Sequence, residues 1–150
     1  MFNVPREVIP HFKENNNGTI INISSAITSA DFPCYSLDAA TKHAMEGYSC
    51  SLSYGLRKAN IKVKEILPAG LHRKLHGAFM ENSDFEASAE CISYIKKVST
   101  NVDDVSEKIS SRPLLVAKVG FNAAIAANLK VRSPAGKSSK QLLFMRKFCR

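Results

Sequence analysis

Nowhere in the 150 residues is there a run of roughly 18 uncharged apolar residues, the length a membrane-spanning helix requires. The first twelve residues carry Pro5 and Glu7 inside an apolar stretch, a pattern unlike a secretory leader, so a soluble cytoplasmic chain is expected. The four cysteines, Cys34, Cys50, Cys91 and Cys149, form no C-x-x-C pair and are read as reduced and structural. Asn17-Gly18-Thr19 and Asn22-Ile23-Ser24 match the glycosylation pattern only formally in such a chain. No internal repeat and no low-complexity segment is present. Two further absences matter more. No glycine-rich turn follows a first strand, and no acidic residue occurs from position 108 to the end.

What remains is an ordinary globular composition, with 45% hydrophobic and 23% charged residues. The net charge of +8 is unevenly placed. Residues 1–107 carry a net of −2, and residues 108–150 carry ten Lys/Arg for a net of +10. Segregation on that scale can mark a surface for nucleic acid or anionic lipid. Readers of nucleic acid usually add a motif or interleaved aromatics, and here only Phe121, Phe144 and Phe148 accompany the basic residues. Nucleic acid is therefore the less favoured partner, and no membrane insertion is expected.

Hydrophobic period divides the chain into alternating helices and strands. Val4, Val8 and Phe12 recur every four residues until Asn15-Asn16-Asn17-Gly18 stops the helix. Thr19 to Ile23 is a short β-branched run and reads as a buried strand. Ala40, Ala44, Tyr48, Leu52 and Leu56 mark a long helix from about Asp38 to Lys58, and Ile61 to Leu67 alternates as a second strand ending at Pro68. Strand, helix and strand of these lengths form a βαβ unit with parallel strands. Ala87 to Val98 is weakly helical, and Pro113 sits near the start of a helix carrying Leu115, Val116, Val119 and Ala123. Leu129 to Arg132 reads as a last short strand, and Ser138 or Ser139 as the cap of a helix carrying Leu142, Met145 and Cys149.

Three segments in order carry a resemblance. Gly-Thr-Ile-Ile-Asn-Ile-Ser-Ser (18–25), Ala-Ala-Thr-Lys-His-Ala-Met-Glu-Gly (39–47) and Lys-Ala-Asn-Ile-Lys-Val-Lys-Glu-Ile-Leu-Pro-Ala-Gly (58–70) resemble the fifth strand, active-site helix and sixth strand of the short-chain dehydrogenase/reductase family. Weaker similarity extends to Val8–Phe12 upstream and Val131–Gly136 downstream. The resemblance implies an α/β fold, a partial Rossmann-like doubly wound parallel sheet with the equivalents of strands five to seven and flanking helices. It implies an oxidoreductase using NAD or NADP. It places Ser25 at the substrate oxygen, Lys42 in the active-site helix, and Pro68, Ala69 and Gly70, together with Lys42, beside the cofactor.

The family's tyrosine precedes the lysine by four residues and follows the serine by thirteen, and that position here is Asp38. Carbonyl reduction needs a proton at the oxygen as hydride reaches the carbon. A free tyrosine holds its proton to about pH 10, whereas a free aspartate has lost it above about pH 4. An aspartate is also shorter by about one ring, and losing a positioned general acid costs about 10² to 10⁴ in rate. Tyr35, seven residues before Lys42, is out of register because residues 32–47 align without a gap. Pro68-Ala69 replaces the family's Pro-Gly, Leu71-His72-Arg73-Lys74 lacks its threonine, and its asparagine lies upstream of the match. Without the glycine-rich turn, dinucleotide binding is expected to be weak or lost.

Ordinary readings compete with each of these. Ser25 alone is a strand-end hydroxyl, and Asp38 with Lys42 alone is an i,i+4 helix pair. His72 and His76 have metal-compatible spacing but no third ligand, so no metal site is assigned. Gly136-Lys137-Ser138 mimics the end of a phosphate loop, yet position 131 is valine where that loop requires glycine. The expectation is one truncated domain over 1–150, with 18–70 as its active-site segment and 108–150 as its basic segment. It is read as a catalytically defective oxidoreductase fragment; the alternative is an interaction module that uses 108–150 to hold nucleic acid or anionic surfaces. Strand 19–24 lacks a neighbour and would be a sticky edge. A homodimer through helices 4–15 and 38–58, or a partner that supplies the missing half, is expected.

Overall fold

Asn15 and Asn16 end the first helix, α1 (Asn3–Glu14), and Asn16 takes up a left-handed conformation with φ of 47°. The computed structural model describes residues 3–30, 33, 35–69, 88–109, 112–128 and 130–146. After α1 the chain enters β1 (Gly18–Ile23), makes a 3-10 turn at Ala26–Ser29 and continues into α2 (Ser36–Leu56). A second 3-10 turn, Arg57–Ala59, leads to β2 (Ile61–Pro68). Then come α3 (Ala89–Ile109), α4 (Pro113–Ile125), β3 (Arg132–Ala135) and α5 (Lys137–Met145). The three strands form one parallel sheet in the order β1-β2-β3. The α/β class and the βαβ unit read from the sequence are what the chain adopts.

The two faces of the sheet are covered differently. Ile20, Ile61 and Val63 pack with Leu56 of α2, flanked by Ile9, Phe12, Leu52 and Ala59. Ile66 and Ala135 pack on the opposite face with Val116 and Ala123 of α4, flanked by Ile21 and Val119. Successive residues of a strand point to opposite faces, which is how one short sheet serves two cores. At the N-terminal ends of the strands, the Asn60 side chain donates to the Asn16 carbonyl at 3.0 Å and locks the two turns together. Asn60 itself is left-handed, with φ of 55°, and closes the turn after α2.

Four details depart from the sequence reading. Of the four-residue rhythm on α2, Leu56 is buried and Leu52 packs beside it, but Ala40 and Ala44 are exposed, and Glu46 and Ser49 are buried outside that rhythm. Each four-residue step overshoots a full helical turn by about 40°, so a strict period of four drifts off the buried face. The last strand runs Arg132–Ala135, three residues later than expected, and includes Pro134. Proline is tolerated there because β3 is an edge strand with one neighbour. No serine caps the last helix: Gly136, with φ of 106°, precedes it, while Ser139 is buried and donates to the Leu67 carbonyl. Finally, α3 spans 21 residues, well beyond the weakly helical stretch read from the sequence. Leu129 and Cys149, also named in that reading, lie outside the described residues.

Among the described residues β1 pairs only with β2, so its outer edge is an open row of backbone groups. At its start, Gly18 lies against the Phe12 ring, and a Cβ there would stand 2.8 Å from Phe12 Cβ and closer still to the ring carbons. Gly18→Ala is expected to lower stability by about 1–3 kcal/mol through overpacking. Gly47, on the exposed side of α2 with nothing within 4 Å of an added Cβ, is the control. Gly47→Ala should leave stability unchanged or raise it by up to about 1 kcal/mol. Urea denaturation followed by circular dichroism reads both.

Candidate functional site

The C-terminal ends of the strands and the first half of α2 meet on one side of the sheet. Ser25 leaves β1 in extended conformation and caps the 3-10 turn, its Oγ accepting from the Ile27 backbone N–H at 3.2 Å. The Ser25 carbonyl accepts from Thr28 Oγ1 at 3.0 Å, and that turn packs against both α2 and α5. Ser25 thus does the work of a strand-end hydroxyl, and its own proton remains available to a further acceptor. The helix α2 begins at Ser36, with Tyr35 at its N-cap making no side-chain cap bond. Asp38 falls in the first turn, where a negative side chain is favoured by the helix dipole. Its carbonyl accepts from Thr41 Oγ1 at 2.8 Å.

Lys42 follows one turn later and is half-buried. Among the described residues no salt bridge joins Asp38 to Lys42, so the i,i+4 pair that the spacing allows is not made. Pro68 and Ala69 close β2, and both are buried, Ala69 at 2% exposure. Ala69 thus packs against its surroundings at the position where the family carries glycine. Gly70, the last residue assigned to the cofactor, lies outside the described residues, as do His72 and His76. Of the residues assigned to the cofactor, the described ones are Lys42, Pro68 and Ala69.

The same inner stripe of α2 leads to a cluster that the sequence reading missed. Register places Asn22 of β1, Glu65 of β2 and Arg132 of β3 side by side. Residues in register on parallel strands share a face, here the one beneath α2. Asn22 donates from Nδ2 to Ser49 Oγ at 2.8 Å. Glu46, two turns beyond Asp38, is 4% exposed and accepts from Arg146 Nη1 at 2.8 Å and 3.1 Å on its two oxygens. Its Oε1 also meets Arg132 Nη2. Glu65 is fully buried, and neither of its carboxylate oxygens has a hydrogen-bond partner among the described residues. Burial, reinforced by the Glu46 charge and opposed by Arg132 and Arg146, pushes its pKa up to about 7.

On the other face Lys64 is buried to 1% exposure. Its ammonium donates to Asn128 Oδ1 at 2.9 Å, to the Lys130 carbonyl at 3.1 Å and to the Asn128 carbonyl. Burial lowers its pKa, and the charge of Lys62 adds to that. A cavity of about 300 Å³ lies beside it, lined by Val119, Asn122, Ala126 and Ser133 among others. Two signals for these clusters stood in the sequence: Glu46 sits four residues after Lys42, and Lys64-Glu65 interrupts an otherwise apolar strand end.

The raised pKa of Glu65 sets a pH dependence. Folded Glu65 titrates at about 7 rather than the ordinary 4.5, so the native state holds this proton more tightly than the unfolded chain does. Its contribution is fully present below about pH 4.5 and is lost as pH rises through about 7. Glu65→Gln carries no titrating proton. The stability of that variant relative to wild type should therefore rise across this window, by on the order of 1–3 kcal/mol, and level off above it. Urea midpoints of both proteins at a series of pH values measure the difference.

The family model described as short chain dehydrogenase matches residues 1–84. The uncharacterized oxidoreductase YusZ of Bacillus subtilis is 29% identical over 152 aligned residues, covering 97% of this chain and 53% of that protein. The uncharacterized oxidoreductase SPAC977.08 of Schizosaccharomyces pombe is 29% identical over 138 residues, 89% of this chain and 55% of its own length. Dehydrogenase/reductase SDR family member 7B of Mus musculus is 24% identical over 131 residues, 86% of this chain and 41% of its own. The chain spans about half the length of the curated relatives it matches. A crystal structure of a short-chain dehydrogenase from Streptomyces avermitilis superposes with a TM-score of 0.74 at 22% identity, covering 96% of this chain and 51% of that one. The family match extends over residues 1–84, from α1 through β1, α2 and β2, and this chain belongs to the short chain dehydrogenase family.

Proposed function

We propose that these 150 residues correspond to the C-terminal, active-site half of the short-chain dehydrogenase architecture and are catalytically defective on their own. One observation carries the reading: Ser25 and Lys42 keep the family's spacing while the tyrosine position between them is Asp38. An aspartate side chain at the start of α2 is shorter than tyrosine by about one ring and does not put a phenol hydroxyl at the substrate oxygen. The buried Ala69 and the absence of a glycine-rich turn from the sequence act in the same direction, against a bound NAD or NADP. The proposed catalytic remnant is Ser25, Asp38 and Lys42, and the proposed cofactor-facing residues are Lys42, Pro68, Ala69 and Gly70. The open edge of β1 is the place for a second copy, or for a partner that supplies a nucleotide-binding half.

A second reading is favoured by a separate observation. Lys130, Arg132, Lys140 and Arg146 of the basic segment line one common groove, which fits a non-enzymatic role in binding anions. Among the described residues no helix is long and apolar enough to cross a membrane, so a lipid surface would be met from outside.

Titration of the purified chain with NADH and NADPH, followed by cofactor fluorescence, tests the first reading. Neither wild type nor Asp38→Tyr is expected to saturate, because restoring the phenol does not restore a phosphate site. Saturable binding by wild type, with turnover of a carbonyl substrate that Asp38→Tyr raises by about 10² or more, would instead establish a working cofactor site.

A further inference from the structure

Among the described residues, a groove between β3 and α5 is left unused by the catalytic reading. Its volume is about 790 Å³, inside the usual range of roughly 300–1,000 Å³ for small-molecule sites. Lys130, Arg132 and Pro134 recur every second residue along β3 and its approach, so strand geometry brings them to one side. Lys140, Leu143, Phe144 and Arg146 complete the lining from α5 and the turn after it. The result is four cations around an apolar floor.

Two of those cations are held in place. Arg132 uses Nη2 and Arg146 uses Nη1 to bind the buried Glu46 carboxylate. A guanidinium carries five N–H donors in a fixed fork, so each arginine keeps further donors for a ligand while its position is set from behind. Lys130 and Lys140 are exposed, and among the described residues neither ammonium contacts a carboxylate. The acids packed nearby are Glu46 of α2, already shared between two arginines, and Glu65 of β2, whose charge burial suppresses. No acid from 108–150 can compensate, because the sequence there has none. The groove keeps a net positive charge at neutral pH.

We propose that this groove binds a phosphate-bearing small molecule with an apolar or aromatic body. A phosphate offers acceptor oxygens on several sides to paired arginines and two flanking lysines, the geometry in which charge-assisted bonds are strongest. Pro134, Leu143 and Phe144, the last 62% exposed, supply the surface for the apolar part. The inference rests on the second reading, that the basic segment is a binding surface, and it narrows that reading to one groove and one chemistry. The shared chemistry is a phosphate monoester, whose source is either a free compound or the headgroup of a lipid.

Phenyl phosphate titrated into the 150-residue chain by calorimetry is the test, with Lys130→Gln, Lys140→Gln and Lys58→Gln alongside. Lys58 is exposed on the turn after α2 and does not line the groove. Saturable binding is expected, weakened about tenfold by each groove variant and unchanged by Lys58→Gln. Phosphatidylcholine vesicles with and without phosphatidic acid distinguish the sources. Capture by the phosphatidic acid vesicles, lost in Lys140→Gln, assigns a headgroup; binding of phenyl phosphate alone assigns a free ligand. A single-stranded oligonucleotide is the third arm. Oligonucleotide binding that ignores Lys130 and Lys140, with no saturation by phenyl phosphate, overturns the groove and leaves the basic segment as a general anion surface. Absence of binding to all three probes overturns both.

Discussion

The Glu46 carboxylate joins parts of the chain that nothing else brings together so firmly. It lies on the inner stripe of α2 and holds Arg132 on β3 and Arg146 after α5, a hundred residues away. An ion pair this buried contributes little net stability, because removing the charges from water costs about as much as their attraction returns. What it does fix is arrangement. With both arginines withdrawn, a carboxylate would remain in the interior without a counter-charge, and alternatives that separate α5 from the sheet give up one of its two partners. Ser139 adds a second tie by donating to the Leu67 carbonyl, which seats α5 against the end of β2. The last helix is therefore placed by polar contacts to buried groups more than by its apolar side chains, of which Phe144 and Met145 are largely exposed.

That distinction explains what could be read from the sequence. The βαβ unit was legible because Thr19–Ile23 and Ile61–Leu67 carry the β-branched and alternating patterns that sheets select, with a long helix between them. The start of α4 was legible because proline marks an early helical position. The buried charges were not. A glutamate in mid-helix ordinarily reads as part of a solvated face, and its burial here depends on two arginines that only tertiary structure delivers. The last strand was misplaced for a related reason. Arg132-Ser133-Pro134-Ala135 has neither alternation nor β-branching, and its pairing with Glu65–Pro68 follows from the packing of α4 on the opposite face.

The candidate site was legible in spacing and illegible in state. Ser25 and Lys42 were found by counting, and they do lie at the end of β1 and on the first half of α2. Counting could not say that Ser25 caps a turn, that Asp38 and Lys42 remain apart, or that the Ala69 methyl is packed. Asp38 also has a purely structural justification. In the first turn of a helix whose N-cap residue gives no side-chain bond, an acid interacts favourably with the dipole by about 0.3–1 kcal/mol. A substitution that removes a proton donor can thus be retained for helix stability alone, which is consistent with the proposed loss of catalysis.

Charge segregation along the chain acquires a physical meaning in the fold. A segment with ten basic residues and no acid cannot neutralise itself, so compensation has to come from the earlier part of the chain. Among the described residues the structure supplies it through ion pairs at Glu46, and places a second acid, Glu65, where burial favours its neutral form below about pH 7. Even with Glu65 ionised, the four cations lining the groove beside β3 would outnumber the two nearby carboxylates. The excess positive charge of Lys130, Arg132, Lys140 and Arg146 is expressed outward, into the groove they line. The cationic groove therefore follows from the lack of acids after position 107, and protonation of Glu65 below about pH 7 reinforces it.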